Sequence, residues 1–432
     1  MGLRGALAIL LAVVVTQAAG AEPAPLAAGG VYRDAGLTAY VGRVGGRLLD
    51  AAGLQRRDWR FEVLDSPEAN AFVLPDGEIV ITRGMLALVS DEAELAVVLA
   101  HEIGHAVAGH GPDLASAAAR RSAELEADRL GMAYVARAGY DATAQVDVLR
   151  TLLASQELET ALSGDDPRRA GSGGRDHPAL ADRLRQAARG LAGVGGDGAR
   201  GDGARGRGAY LAAIDGMVFG DGPAQGFLHG RSFVHPELRF AFDPPPGYAV
   251  VNAPDFIAAN GPRTATMLLD SVPDPGGDPA TYLVRGWVPE IARGVGAGGL
   301  DGPRPLRIGG LPAAEARLSL ANGGSRRLAD LTVIRYRGRL YRLTGLYEPG
   351  DAAAAAALAR AAASFRPLSR GEAAAETPLR IRIHRIAAGD DVKAMAGGMP
   401  IGAASRARFD LINGLRPGRS LRVGDAIKLV SE

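Results

Sequence analysis

The stretch ELAVVLAHEIGHAVAGH, residues 94–110, decides how this chain is read. Ser90-Asp91-Glu92 ahead of it is a helix-start signal with acids in the first turn, and Gly111-Pro112 is the expected stop. Inside the helix, His101 and His105 stand four residues apart, slightly more than one turn, so both imidazoles leave one face. Two neutral imidazoles at that spacing can hold Zn²⁺ at about 2.0–2.1 Å each. Glu102 lies beside them on the wheel, where it can take a proton from water at the metal. The rest of the helix is apolar, and an ionisable cluster in such surroundings is costly to bury without a purpose.

A catalytic zinc takes three protein ligands and keeps one position open. After the motif come His110, Glu124, Glu126 and Asp128. On a continued helix His110 would lie about 140° from His105 and about 180° from His101, facing away, with a role at the helix end. Glu124, in a second helix that can return antiparallel past the first, is the expected third ligand. Asp128 is one turn further on the same face and can accept the N–H of a ligand histidine. Glu126 points elsewhere and reads as a surface charge. The expected metal set is one Zn²⁺ per chain on His101, His105 and Glu124, with Glu102 as general base.

Around this core, residues 33–54 predict a helix and Trp59–Leu64 a strand. Ala71–Leu74 and Glu78–Thr82 flank Pro75-Asp76-Gly77, which predicts a hairpin. A second helical stretch is expected over 113–160, then a polar glycine-rich loop at 162–176. The low-complexity run AGVGGDGARGDGARGRG (192–208) predicts a flexible linker. Residues 209–368 alternate in strand fashion and end in an Ala-rich helix, 351–364, which predicts a small α+β domain. His229, His235 and His384 have no partner at ligand spacing and read as structural or surface residues.

Four blocks in order, NAFVLPDGEIVITRGML (70–86), the HEIGH helix, ELEAD (124–128) and DHPALADRL (176–184), resemble the gluzincin metallopeptidases that include the CAAX prenyl proteases and HtpX. The likeness is to their soluble periplasmic BepA-type members and covers about 70–190. It implies an α+β protein whose first domain, 22–191, is mainly helical with a small hairpin or edge sheet. It implies Glu124 as a metal ligand and Asn70, Ala71 and Phe72 as a strand that can pair with an extended substrate, beside the plainer reading of an edge strand. It places His177 at the family's His-Pro position, as an oxyanion partner, as an occupant of the open zinc site, or as a turn residue. Arg183 is the other candidate for charge stabilisation. Proteins or peptides are the implied substrates.

The last unit, 378–432, resembles a LysM module of βααβ order. Gly389-Asp390-Asp391, Leu411-Ile412-Asn413-Gly414-Leu415 and Val423-Gly424-Asp425 carry the likeness. Such modules bind N-acetylglucosamine polymers such as peptidoglycan; a packing module without a ligand is the alternative. The N-terminus reads as a signal peptide over 1–21, with Arg4, the apolar run Ala6–Val15 and Ala19-Gly20-Ala21 before Glu22. No cysteine is present, which excludes thiol catalysis, thiolate metal sites and a lipobox. Net charge is +1, basic residues are scattered and nearly all Arg, and no nucleic-acid partner is expected. No membrane span is expected after signal removal. Two functions follow: a periplasmic zinc endopeptidase of envelope quality control, or an envelope binding or chaperone-like protein whose zinc site is regulated or idle.

Overall fold

A computed structural model describes residues 30–111, 116–163, 180–193, 204–253, 255–294, 296–322, 325–402, 404–416 and 421–432. The chain divides into two compact units, one of Gly29–Gly222 with Pro378–Glu432 and one containing Pro223–Thr377. The signal peptide expected over 1–21 and His177 lie outside the described residues. No helix among the described residues is long and apolar enough to cross a membrane.

The first unit opens with helix α1 (Ala35–Ala52), whose first turn is capped by the Asp34 carboxylate and whose end is turned by Gly53 at φ 74°. Leu37, Val41, Val44 and Leu48 bury its apolar stripe. Three short strands follow, β1 (Arg60–Leu64), β2 (Ala71–Val73) and β3 (Glu78–Thr82). The Pro75-Asp76-Gly77 turn returns β3 antiparallel to β2, as expected, and β1 adds to the far side of β3 in parallel. Helix α2 (Arg83–Leu88) leads into α3 (Glu92–Ala108), whose cap is Asp91, accepting from Glu94 N–H at 3.0 Å.

Helix α3 ends earlier than Gly111-Pro112, at Ala108, because Gly109 takes the left-handed conformation at φ 68°. The helical stretch expected over 113–160 is two helices, α4 (Ala117–Arg137) and α5 (Ala144–Ser163). Gly139 at φ 76° breaks it, and the Asp141 carboxylate accepts the Thr143 N–H and hydroxyl to start α5. The break lets Tyr140 reach into the core and donate to Glu92 at 2.8 Å. Helices α6 (Leu180–Gly193) and α7 (Arg207–Ile214) complete this part.

The described end of the 192–208 segment is built into the fold instead of linking it loosely. Ala204 bridges Tyr140, and Arg205 pairs with Asp91, Glu94 and Asp147. Arg207 donates to the Ser90 and Ala426 carbonyls. Residues 378–432 form a two-stranded antiparallel sheet, Arg380–Arg385 with Ala426–Ser431, around helices Val392–Gly397 and Ser405–Ile412, which is a βααβ order. It packs within the same unit: the backbone of 216–219 bonds that of 379–381, and Ile381 joins the core that contains α3.

The second unit holds a seven-stranded antiparallel sheet whose faces are both covered. The helix Ala352–Ala363 and a smaller four-stranded sheet bury Phe240, Tyr341, Leu343 and Phe365 on one side. Segment 279–294 buries Leu283 and Trp287 against Leu331, Val333 and Leu340 on the other. Its span differs from the expected 209–368 because residues 207–222 pack in the first unit.

Candidate metal centre

Helices α3 and α4 pass unusually close because small residues line their contact. A Cβ on Gly104 would lie 2.7 Å from the Ala127 carbonyl oxygen, and one on Gly131 would lie 2.8 Å from that of Ala100. This crossing carries Glu124 on α4 up to the histidines of α3. His101 Nε2 lies 3.0 Å from His105 Nε2, and the Glu124 carboxylate oxygens lie 3.4 Å from each of those nitrogens. His101, Glu102, His105 and Glu124 are all buried.

These three edges fit a metal. Ligands about 2.0–2.1 Å from a tetrahedral ion stand roughly 3.3 Å from one another. Among the described residues, His101, His105 and Glu124 are the group of donors that could hold an ion. Burial pushes the His105 imidazole below its ordinary pKa, which keeps it in the neutral form a ligand requires. Among the described residues, the side chains of Glu102, Glu124 and Asp128 gather at this cluster with the Arg183 guanidinium, an acidic donor set that suits a divalent cation.

Asp128 lies 3.0 Å from His101 Nδ1, accepting its N–H and leaving Nε2 to face His105 and Glu124. Burial alone would raise its pKa. The hydrogen bonds from His101 and Arg183 outweigh that and hold it well below the usual carboxylate range. Arg183 on α6 is equally buried and forks onto both Asp128 oxygens, at 2.8 and 2.7 Å, while its other arm meets Glu124 at 2.7 Å. Its Nη2 also lies 3.3 Å from His101 Nδ1. That nitrogen carries the proton given to Asp128, so the short carboxylate contacts are the bonds that count. Burial would depress the guanidinium; Asp128 and Glu124 raise it and keep it charged.

Strand β2 carries Ala71 and Phe72 and is bonded to β3 along one side, at the end of the sheet order. Asn70 precedes it, its backbone tied to Thr82. His235 is buried and accepts from Leu238 N–H, while His229 and His384 pair with Glu376 and Asp390.

Two arrangements escaped the sequence reading. His110 does not face away: its Nδ1 lies 3.1 Å from His105 Nδ1, and its Nε2 lies 3.3 Å from Glu126. The wheel angle assumed a helix that continues, whereas Gly109 folds the chain back so that His110 N–H bonds the His105 carbonyl and Gly109 N–H bonds that of Ala106. Glu126 is correspondingly a hydrogen-bond partner of His110. The other is Lys428 of the C-terminal module, fully buried, with Nζ donating to the Ala87 and Val89 carbonyls at 2.7 and 2.8 Å just ahead of α3. A lone Lys in a terminal strand carries no signal of such a docking.

Residues 36–119 match Peptidase family M48. This span carries β2, the hairpin and the HEIGH helix. The chain is 41% identical to the mitochondrial metalloendopeptidase OMA1 of Schizosaccharomyces pombe over 18% of its own length and 23% of that protein's. It is 44% identical to human mitochondrial metalloendopeptidase OMA1 over 15% and 13% of the two chains. It is 32% identical to the beta-barrel assembly-enhancing protease of Escherichia coli over 17% and 15%. The chain thus spans less than a quarter of these relatives. Among solved structures, cyanobacterial PsbP from Synechocystis aligns with 34% of this chain and 99% of its own at 16% identity, with a TM-score of 0.27. The family match and the two metalloendopeptidases support the zinc-peptidase expectation formed from the residues.

Proposed function

We propose that the chain is a zinc-dependent endopeptidase that acts on protein or peptide substrates. The observation that carries this is the convergence of His101, His105 and Glu124 at edges of 3.0 and 3.4 Å beside a buried Glu102. A zinc ion held there supplies Lewis-acid polarisation and lowers the pKa of water from about 15.7 toward about 7. Glu102 accepts the proton released from water and returns it to the leaving amine. Asn70, Ala71 and Phe72 are the proposed substrate strand: the outer edge of β2 pairs with an extended substrate with little demand on its side chains, while Asn70, its backbone tied to Thr82, fixes the start of that edge. Arg183 holds Asp128 and Glu124 in place and His177 is the further candidate for stabilising the oxyanion.

The same proposal includes export through the 1–21 signal peptide, a role in envelope protein quality control, and peptidoglycan affinity from the 378–432 module. A second reading, a regulated or idle site in an envelope binding protein, is favoured by the 2.7 Å contact of Arg183 with Glu124, a bond that competes with metal for that carboxylate. Cleavage of casein by the purified chain, with and without a chelator, separates them. Chelator-sensitive cleavage supports the peptidase; absence of cleavage from a zinc-loaded chain supports the second reading.

A further inference from the structure

We infer that His110 and Glu126 form a relay that orients His105 as a metal ligand, making His110 a positioning residue of the site. The inference rests on the zinc reading of that site. His105 presents Nε2 toward His101 and Glu124, so the lone pair needed for a metal is on Nε2 and the ring proton is on Nδ1. That proton points at His110 Nδ1, 3.1 Å away, which must accept it. An imidazole that accepts at Nδ1 carries its own proton on Nε2, and that nitrogen lies 3.3 Å from the Glu126 carboxylate, which can only accept. All three groups therefore fit a single assignment of protons, running from Glu126 through His110 and His105 to the ligand nitrogen.

The backbone builds this arrangement. Gly109 at φ 68° ends α3, and the His110 N–H closes onto the His105 carbonyl at 3.0 Å, which sets the His110 ring against the His105 ring. The ring centroids stand 5.2 Å apart and the planes meet at 71°, an edge contact with nitrogen toward nitrogen. His110 is mostly shielded, with 12% of its side chain exposed, whereas Glu126 is about half exposed at 49%. Asp128 does for His101 what His110 does for His105. The two ligand histidines thus have different outer partners: a carboxylate held by Arg183 for one, a largely shielded imidazole held by Glu126 for the other.

The test measures zinc affinity of the full chain by chelator competition, the visible spectrum of its cobalt(II) form, and the thermal midpoint of each metal-free variant. Outer partners of ligand histidines are worth roughly 10–100-fold in metal affinity. His110→Ala is expected to lose affinity in that range and to alter the cobalt spectrum. His110→Asn, whose amide oxygen takes the place of Nδ1 as an acceptor, is expected to regain most of the loss. Glu126→Ala, at a half-exposed position that does not threaten folding, is expected to weaken binding by less than His110→Ala. Unchanged affinity in His110→Ala overturns the relay, as does a loss that His110→Asn fails to repair. If His110→Ala does not fold, wild-type affinity in Glu126→Ala overturns it. Failure of the wild-type chain to bind zinc overturns the site reading itself; normal wild-type binding with indifferent variants overturns the relay alone.

Discussion

Gly131→Ala tests whether the close crossing of α3 and α4 builds the metal site. On an exposed helix this substitution gains up to about 1 kcal/mol from helix propensity. Here the new Cβ would stand 2.8 Å from Ala100 O, 2.9 Å from Ala100 C and 3.1 Å from His101 N. These are backbone atoms and cannot swing aside. Restoring contacts of about 3.5 Å requires the helices to part by roughly 0.7 Å. Overpacking of this kind costs about 1–3 kcal/mol, which outweighs the propensity gain. The displacement also exceeds the roughly 0.2 Å tolerance of metal–ligand distances, and it separates Glu124 from His101. A fall in zinc affinity of about tenfold or more, about 1.4 kcal/mol, is expected together with a lower thermal midpoint of the metal-free chain. Gly190→Ala in α6, where a Cβ meets nothing within 4 Å, is the control and should not destabilise. A Gly131→Ala protein with a raised midpoint and unchanged zinc affinity in chelator competition would show that the close crossing does not set the metal site.

Lys428→Met keeps the bulk but removes the donor to the Ala87 and Val89 carbonyls, and should cost about 2–4 kcal/mol in chemical denaturation; an unchanged denaturation midpoint contradicts the docking role. Burial lowers the His235 pKa to about 4 from an unfolded value of 6.5, so between those values the unfolded chain binds the extra proton. Stability of the second unit should therefore be complete above pH 6.5 and fall as pH drops to 4, by up to about 3 kcal/mol. His235→Asn, which keeps an acceptor for Leu238 N–H, should flatten that slope in urea titrations at several pH values; parallel slopes would contradict it.

The HEIGH helix was legible because its information is local: a start signal, apolar spacing, and two histidines one turn apart. Asp128 followed from the same spacing argument on α4. His110 was misjudged because a wheel angle holds only while the helix does, and one left-handed glycine redirected the chain. The break at Gly139 carried a local signal, a glycine followed two residues later by the capping Asp141, which the long helical patterns on either side obscured. Arg183 was singled out by its place after His177-Pro178, yet its grip on Asp128 and Glu124 depends on how α6 returns over α4, which no local pattern reports. The built-in end of the 192–208 segment and the burial of Lys428 rest on contacts between positions more than a hundred residues apart. Composition marked the first as a loose linker and could not see the second.

Glu102→Gln measured beside the wild type separates proton transfer from metal binding. Glutamine keeps the shape and removes the base, and His101, His105 and Glu124 are untouched. One zinc per chain is expected in both proteins, with peptide cleavage by the wild type alone. Full cleavage by Glu102→Gln, or a wild type that cleaves without retaining zinc, would contradict the zinc-peptidase reading.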